Sequence, residues 1–151
     1  MNSRAQADAI AATFVGVSAT VESETKTLTA DTATALLPNG IAKGPILLVF
    51  PPSGSLGILA SATRNDFLDY PVRLLIDPLD MPTRTAWLYA WYDAMRDRVE
   101  TNVDLGQTDV YAECVSFRQA LNGATYADAS FDMVEIVVRV HSFEHVSTAA
   151  P

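Results

Sequence analysis

The stretch that decides the fold is "RTAWLYAWYDAMRDRVETNVDLG", residues 84–106. It packs Trp87, Tyr89, Trp91 and Tyr92 into six positions and then turns polar. Trp87, Leu88, Trp91, Tyr92, Met95 and Val99 recur at i, i+1, i+4, i+5, i+8 and i+12. At about 100° per residue these six share one face of an α-helix. Arg84, Asp93, Arg96, Asp97 and Glu100 fall on the other side. Arg96 and Glu100 can pair across one turn for a few tenths of a kcal/mol. Thr83 is placed to cap the N-terminus and Leu105-Gly106 to stop the chain. Aromatics at helical spacing are usually core, and stacking on nucleic acid would need basic residues interleaved among them. Here Arg84, Arg96 and Arg98 flank the cluster and are matched by acids. The cluster therefore reads as the buried stripe of a central helix rather than a binding site.

Working outward, Ile10, Phe14, Val17 and Val21 follow one another at spacings of four, three and four, which predicts an N-terminal helix over 4–18. Residues 18–44 begin as a Thr-, Ser- and acid-rich run and read as a polar arm or loop ordered by a partner. "PILLVFPPSG", 45–54, predicts a short buried strand over 46–50, ended by two prolines. Residues 53–66 read as a flexible Gly/Ser-rich loop or hairpin. A second strand is expected over 72–76 and a third over 109–118, with a turn around Asn122-Gly123. In the last strand, 131–146, Val134, Ile136, Val138 and Val140 form one face, while Glu135, Arg139 and His141 lie on the other. The order shows no βα alternation. The expectation is one α+β domain over 1–151: a mostly antiparallel sheet of four to five strands, packed by the central amphipathic helix and the N-terminal one.

The composition removes several chemistries. Of 151 residues, 18 are acidic and 10 basic, a net charge of −8, and the basic residues are scattered. Phosphate-backbone binding needs a basic patch that this chain lacks. The single cysteine, Cys114, forms no internal disulfide, which fits a reducing compartment. No secretory leader and no membrane-spanning run is expected. "PPSGSLG" matches neither a phosphate-binding loop nor a nucleophile elbow. His141 and His145 sit four apart on an expected strand, roughly 13 Å, too far to share a zinc ion. Asp93 with Asp97 and Asp77 with Asp80 are the nearest carboxylate pairs, on an expected solvated helix face and a turn. No catalytic residue, metal site or cofactor is expected.

"PILLVFPPSG", then "YPVRLLIDPLDMPTRTAWLYAWYDAMRDRVETNVDLG", then the valine-rich closing strand resemble the small tail-terminator and neck proteins of long-tailed bacteriophages over about 45–146. The shared motifs are packing motifs, not catalytic signatures. The resemblance implies a structural virion protein at the neck, made in the host cytoplasm. It implies a homo-oligomer, a hexameric ring, that caps the tail tube, meets the tail-tube protein and a head-completion or connector protein, and passes genomic DNA through its lumen without specific binding. Subunit contacts are expected from the loop residues Pro52, Ser53, Gly54, Leu56, Ile58 and Leu59. The resemblance also admits another head–tail connector or tail-completion protein, and the residues alone leave open a host interaction module or a small α+β enzyme or ligand-binding domain.

Overall fold

The computed structural model describes residues 3–38, 45–55, 63–77, 83–107, 110–126 and 129–145. Among them the fold is α+β: two helices, a six-stranded mixed sheet and a separate two-stranded hairpin. The elements are α1 (Ser3–Phe14), β1 (Ser18–Val21), β2 (Glu24–Thr27), β3 (Ala33–Thr34), β4 (Ile46–Val49), β5 (Ser53–Ser55), β6 (Thr63–Ile76), α2 (Thr83–Thr101), β7 (Val110–Tyr126) and β8 (Ala129–His145). The large sheet runs β3-β4-β6-β8-β7, with β5 also pairing β6. Only β3 and β4 are parallel. The strand count exceeds the expected four to five because β3 and β5 are two- and three-residue strands with no hydrophobic period to announce them.

Helix α2 contains no Gly or Pro and lays Trp87, Leu88, Trp91, Met95 and Val99 onto the sheet, each no more than 5% exposed. Tyr92 is half-buried at the margin of this stripe. The facing sheet residues are Leu47, Val49, Val72, Leu74, Val134, Ile136, Val138 and Val140, all buried. Helix α2 ends where the Thr101 hydroxyl bonds the Asp97 carbonyl and the Asn102 amide bonds that of Arg98. Leu105 and Gly106 then take left-handed backbone, φ 50 and 71. Helix α1 packs Ala7, Ile10, Ala11 and Phe14 into the same core and stops at Phe14, before the expected 18. Gly16, φ 89, turns the chain there, and its N–H donates to the Leu28 carbonyl.

The polar arm expected over 18–44 is corrected over its described part. Residues 18–27 form the β1–β2 hairpin, which lies against α2. Ala19 and Leu28 are buried, and Lys26 stands 4.6 Å over the Trp87 ring. The hydroxyl pairs Ser18–Thr27 and Thr20–Thr25, each 2.7 Å, line its outer face. β-branched threonine suits a strand, and two small apolar residues are too few to show as a period. Residues 39–44 lie outside the described residues. Of the two readings of the Gly/Ser-rich segment, loop or hairpin, its described ends follow the hairpin: 53–55 pair antiparallel with Phe67, Leu68 and Asp69, and 63–66 belong to β6. Gly54 approaches β6 so closely that a Cβ there would lie 2.1 Å from the Phe67 carbonyl oxygen.

Asn122-Gly123 is not the hairpin turn. Strand β7 runs through it, bulging between Ala120 and Ala124 with Asn122 at φ 51, then resumes pairing at Ala124↔Phe131 and continues to Tyr126↔Ala129. The bulge faces a buried carboxylate. Asp132, 2% exposed, takes two hydrogen bonds from Arg84, 2.9 and 2.7 Å, and one of 2.8 Å from the Asn122 N–H. Burial would push this carboxyl up. The Arg84 hydrogen bonds, the Asn122 N–H and the Arg84 charge outweigh burial and hold it below its ordinary value. Arg84, assigned by spacing to the solvated side, is thus the clamp between α2, β7 and β8.

The second sheet face is also partly core. Leu48, Leu75, Phe131 and Met133 are buried there, with Ala120, Ala124 and Tyr126 packed against them. The Tyr126 hydroxyl bonds the Pro38 carbonyl, so the β7–β8 end curls over this face.

A buried polar relay holds α1 in place. Tyr70 donates to Gln6 Oε1 at 2.8 Å, and Gln6 Nε2 donates to Ser142 Oγ at 2.8 Å. Burial pushes the Tyr70 hydroxyl up to about 12. A folded value above the unfolded one means that the stability is intact below pH ~10 and is lost as pH climbs from ~10 to ~12, about 2–3 kcal/mol in all. Tyr70→Phe should flatten that alkaline loss while costing about 1–3 kcal/mol at neutral pH, because Gln6 loses its donor. Urea titrations of both proteins at pH 7 and pH 11 measure it. An unchanged alkaline loss would assign it to another group.

Candidate assembly interface

Strand β7 ends the sheet, and among the described residues it carries a run of exposed apolar side chains. Val103 accepts the Ala112 N–H at 2.6 Å. Beyond that point no described backbone group pairs with the outer edge of β7. Along the strand Tyr111, Val115, Phe117 and Leu121 are 39–61% exposed. A register shift between Cys114 and Ser116 leaves Val115 without a partner on β8. A long edge with bare apolar side chains is a pairing template that isolated proteins normally blunt.

Between this edge and α2 lies a groove of about 160 Å³. Tyr92 and Phe117 wall it, their rings 4.5 Å apart, and Ile136 and Cys114 also line it. Arg96 stands 5.4 Å over the Tyr92 ring and reaches Glu100 and Asp97 at 3.8 Å. Burial, then Glu100, pushes the Cys114 thiol up to about 11, against a smaller opposing effect of Arg96. At neutral pH it is a protonated thiol, a poor nucleophile and a poor metal ligand.

The open part of the other sheet face is charged but paired. Arg73 bonds Glu135, Arg139 bonds Asp69 with two hydrogen bonds of 2.8 and 3.0 Å, and His141 lies 3.4 Å from Glu113. Such a ladder holds strands in register and presents no net basic patch to phosphate. Among the described residues no cluster of three or more His, Cys, Asp or Glu side chains could hold a metal ion, and no helix is long and apolar enough to cross a membrane. Asp93 and Asp97 are both exposed.

Of the expected contact loop, Pro52 is half-buried, and Ser53 and Gly54 are exposed at the start of the β5 pairing. Leu56, Ile58 and Leu59 lie outside the described residues. The helix residues Trp87, Leu88, Trp91, Met95 and Val99 are core, while Tyr92 divides its ring between core and groove. Sequence reasoning missed Val115, Phe117 and Leu121. The alternation that carries Val115 and Phe117 along 109–118 was visible, with Leu121 beyond it, but which face is covered depends on β7 being the last strand of the sheet. No family model matches the chain, and no curated protein matches it.

Proposed function

We propose that this chain is a structural virion protein, a ring-forming tail terminator that caps a phage tail tube and joins it to the head connector. The observation that carries the reading is the open apolar edge of β7, with Val115 and Phe117 exposed beside an aromatic-walled groove and Leu121 exposed further along the strand. An edge of this kind supports head-to-tail association, and a head-to-tail contact that closes makes a ring. The resemblance over 45–146 supplies the particular ring, a hexamer on the last tail-tube layer. The net charge of −8 suits a lumen that DNA slides past without being held. Paired charges, a protonated buried thiol and a small groove support a role without catalysis or cofactor. A groove of about 160 Å³ is smaller than the roughly 300–1,000 Å³ of small-molecule sites, which favours a docking side chain over a metabolite. A neighbouring connector or tail-completion protein would share the ring and differ in the layers it meets.

The role predicts a phenotype. Particles assembled without this chain should yield filled heads, and separate tails of uncontrolled length, by negative-stain microscopy. Tails of normal length still joined to heads would reject the terminator role.

A further inference from the structure

We infer that the ring closes by seating Leu36 of one copy in the Tyr92–Phe117 groove of the next, a contact that rests on the ring reading above. The two features lie at opposite ends of the sheet: Leu36 follows β3, the first strand of the path, and the groove flanks β7, the last. Opposite ends of one sheet are what a head-to-tail contact joins, whereas a two-fold dimer would pair like with like.

Leu36 is 61% exposed, and its neighbour Leu37 41%. The Thr34 hydroxyl fixes the bend that carries Leu36: it accepts the Leu36 N–H and lies 3.1 Å from both that nitrogen and the Leu36 carbonyl oxygen. An apolar side chain held out on a pinned turn loses little further freedom on docking. The groove is of a size for one leucine side chain; Tyr92, Val115, Phe117 and Ile136 give it an apolar side, and Arg96, Glu100 and Ser116 a polar one.

Charge is complementary across the pair. Exposed Asp31 lies on the β3 side and makes no ion pair among the described residues, whereas Asp8 there is paired with Arg4 at 3.2 Å. At the groove Arg96 is held by Glu100, which also lines it, and by Asp97, whereas exposed Arg118, beside Phe117, makes no ion pair among the described residues. Two copies brought together in this sense set Arg118 of one on the side of Asp31 of the other. A β7-to-β7 pairing would set Arg118 near its own counterpart.

The test uses Leu36→Asp and Phe117→Asp, each made in the full chain and each at an exposed position. Each alone should weaken assembly at least about 30-fold, the effect of one centrally placed apolar contact. Mixed in equal amounts, they should form a heterodimer and nothing larger in native mass spectrometry. The Phe117→Asp chain still offers Leu36, and the Leu36→Asp chain still offers an intact groove. Rings from either variant alone, or a mixture that stays monomeric while wild type forms rings, would overturn this contact and leave the ring reading standing. A monomeric wild type would overturn both. If an aspartate variant loses the wild-type circular dichroism, Leu36→Ser and Phe117→Ser repeat the pair.

Discussion

Arg84→Ala should cost about 3–5 kcal/mol of unfolding free energy, among the largest losses for a single substitution in this chain. Arg84 is the only described cation bonded to Asp132, and that carboxylate is 2% exposed. Removing the guanidinium leaves a buried negative charge with one remaining backbone donor, Asn122. The sign of the pH dependence follows from the lowered Asp132 value. The pair stabilises the fold above the ordinary carboxyl range, and the gain is lost as pH falls through the folded value. In the Arg84→Ala protein the carboxyl keeps only the Asn122 N–H against its burial, so acid should now relieve the defect. The gap between variant and wild type should shrink below about pH 4. Replacing both partners with apolar residues, as in Arg84→Met with Asp132→Leu, should recover most of the loss, because desolvation of both charges is avoided. Urea melts at pH 7 and pH 3.5 measure all three. An Arg84→Ala cost below ~1 kcal/mol would mean that water replaces the guanidinium and that the clamp is not closed.

Trp91 carries the second large prediction. It is fully buried at the centre of the α2 stripe, and its indole N–H has no acceptor within hydrogen-bond reach. Trp91→Ala removes one of the two fully buried indoles of the helix and leaves a cavity, an expected loss of about 3–5 kcal/mol. Trp91→Phe keeps most of the ring and removes a buried donor whose lack of a partner costs about 1–3 kcal/mol. The two effects oppose, so Trp91→Phe should stay within about 1.5 kcal/mol of wild type. A Trp91→Phe loss as large as that of Trp91→Ala would mean that the N–H has a partner and that the residue is chosen for polarity as well as bulk.

The long elements were legible in the sequence because each carries its own period. The α2 stripe repeats at helical spacing from Trp87 to Val99, and β8 alternates from Val134 to Val140. What was illegible depends on contacts between distant segments. The β1–β2 hairpin is a run of Thr, Ser and Glu whose strand character shows only when Ala19 and Leu28 find the core. Asn122-Gly123 has the composition of a hairpin turn, yet Asp132, ten residues on, converts it into a bulge by accepting the Asn122 N–H. The proposed interface was the hardest part. Phe117 looks like any strand aromatic until the strand order leaves it on the rim, and Leu36 looks like linker until Thr34 pins it.

If open sheet ends drive this chain into a closed ring, the native mass of the purified wild-type protein at micromolar concentration should show it. One dominant species is expected at a fixed multiple, six, of the 16.3 kDa subunit, seen end-on as a ring with a central hole. A monomer at that concentration, or a two-fold dimer and nothing larger, would contradict it.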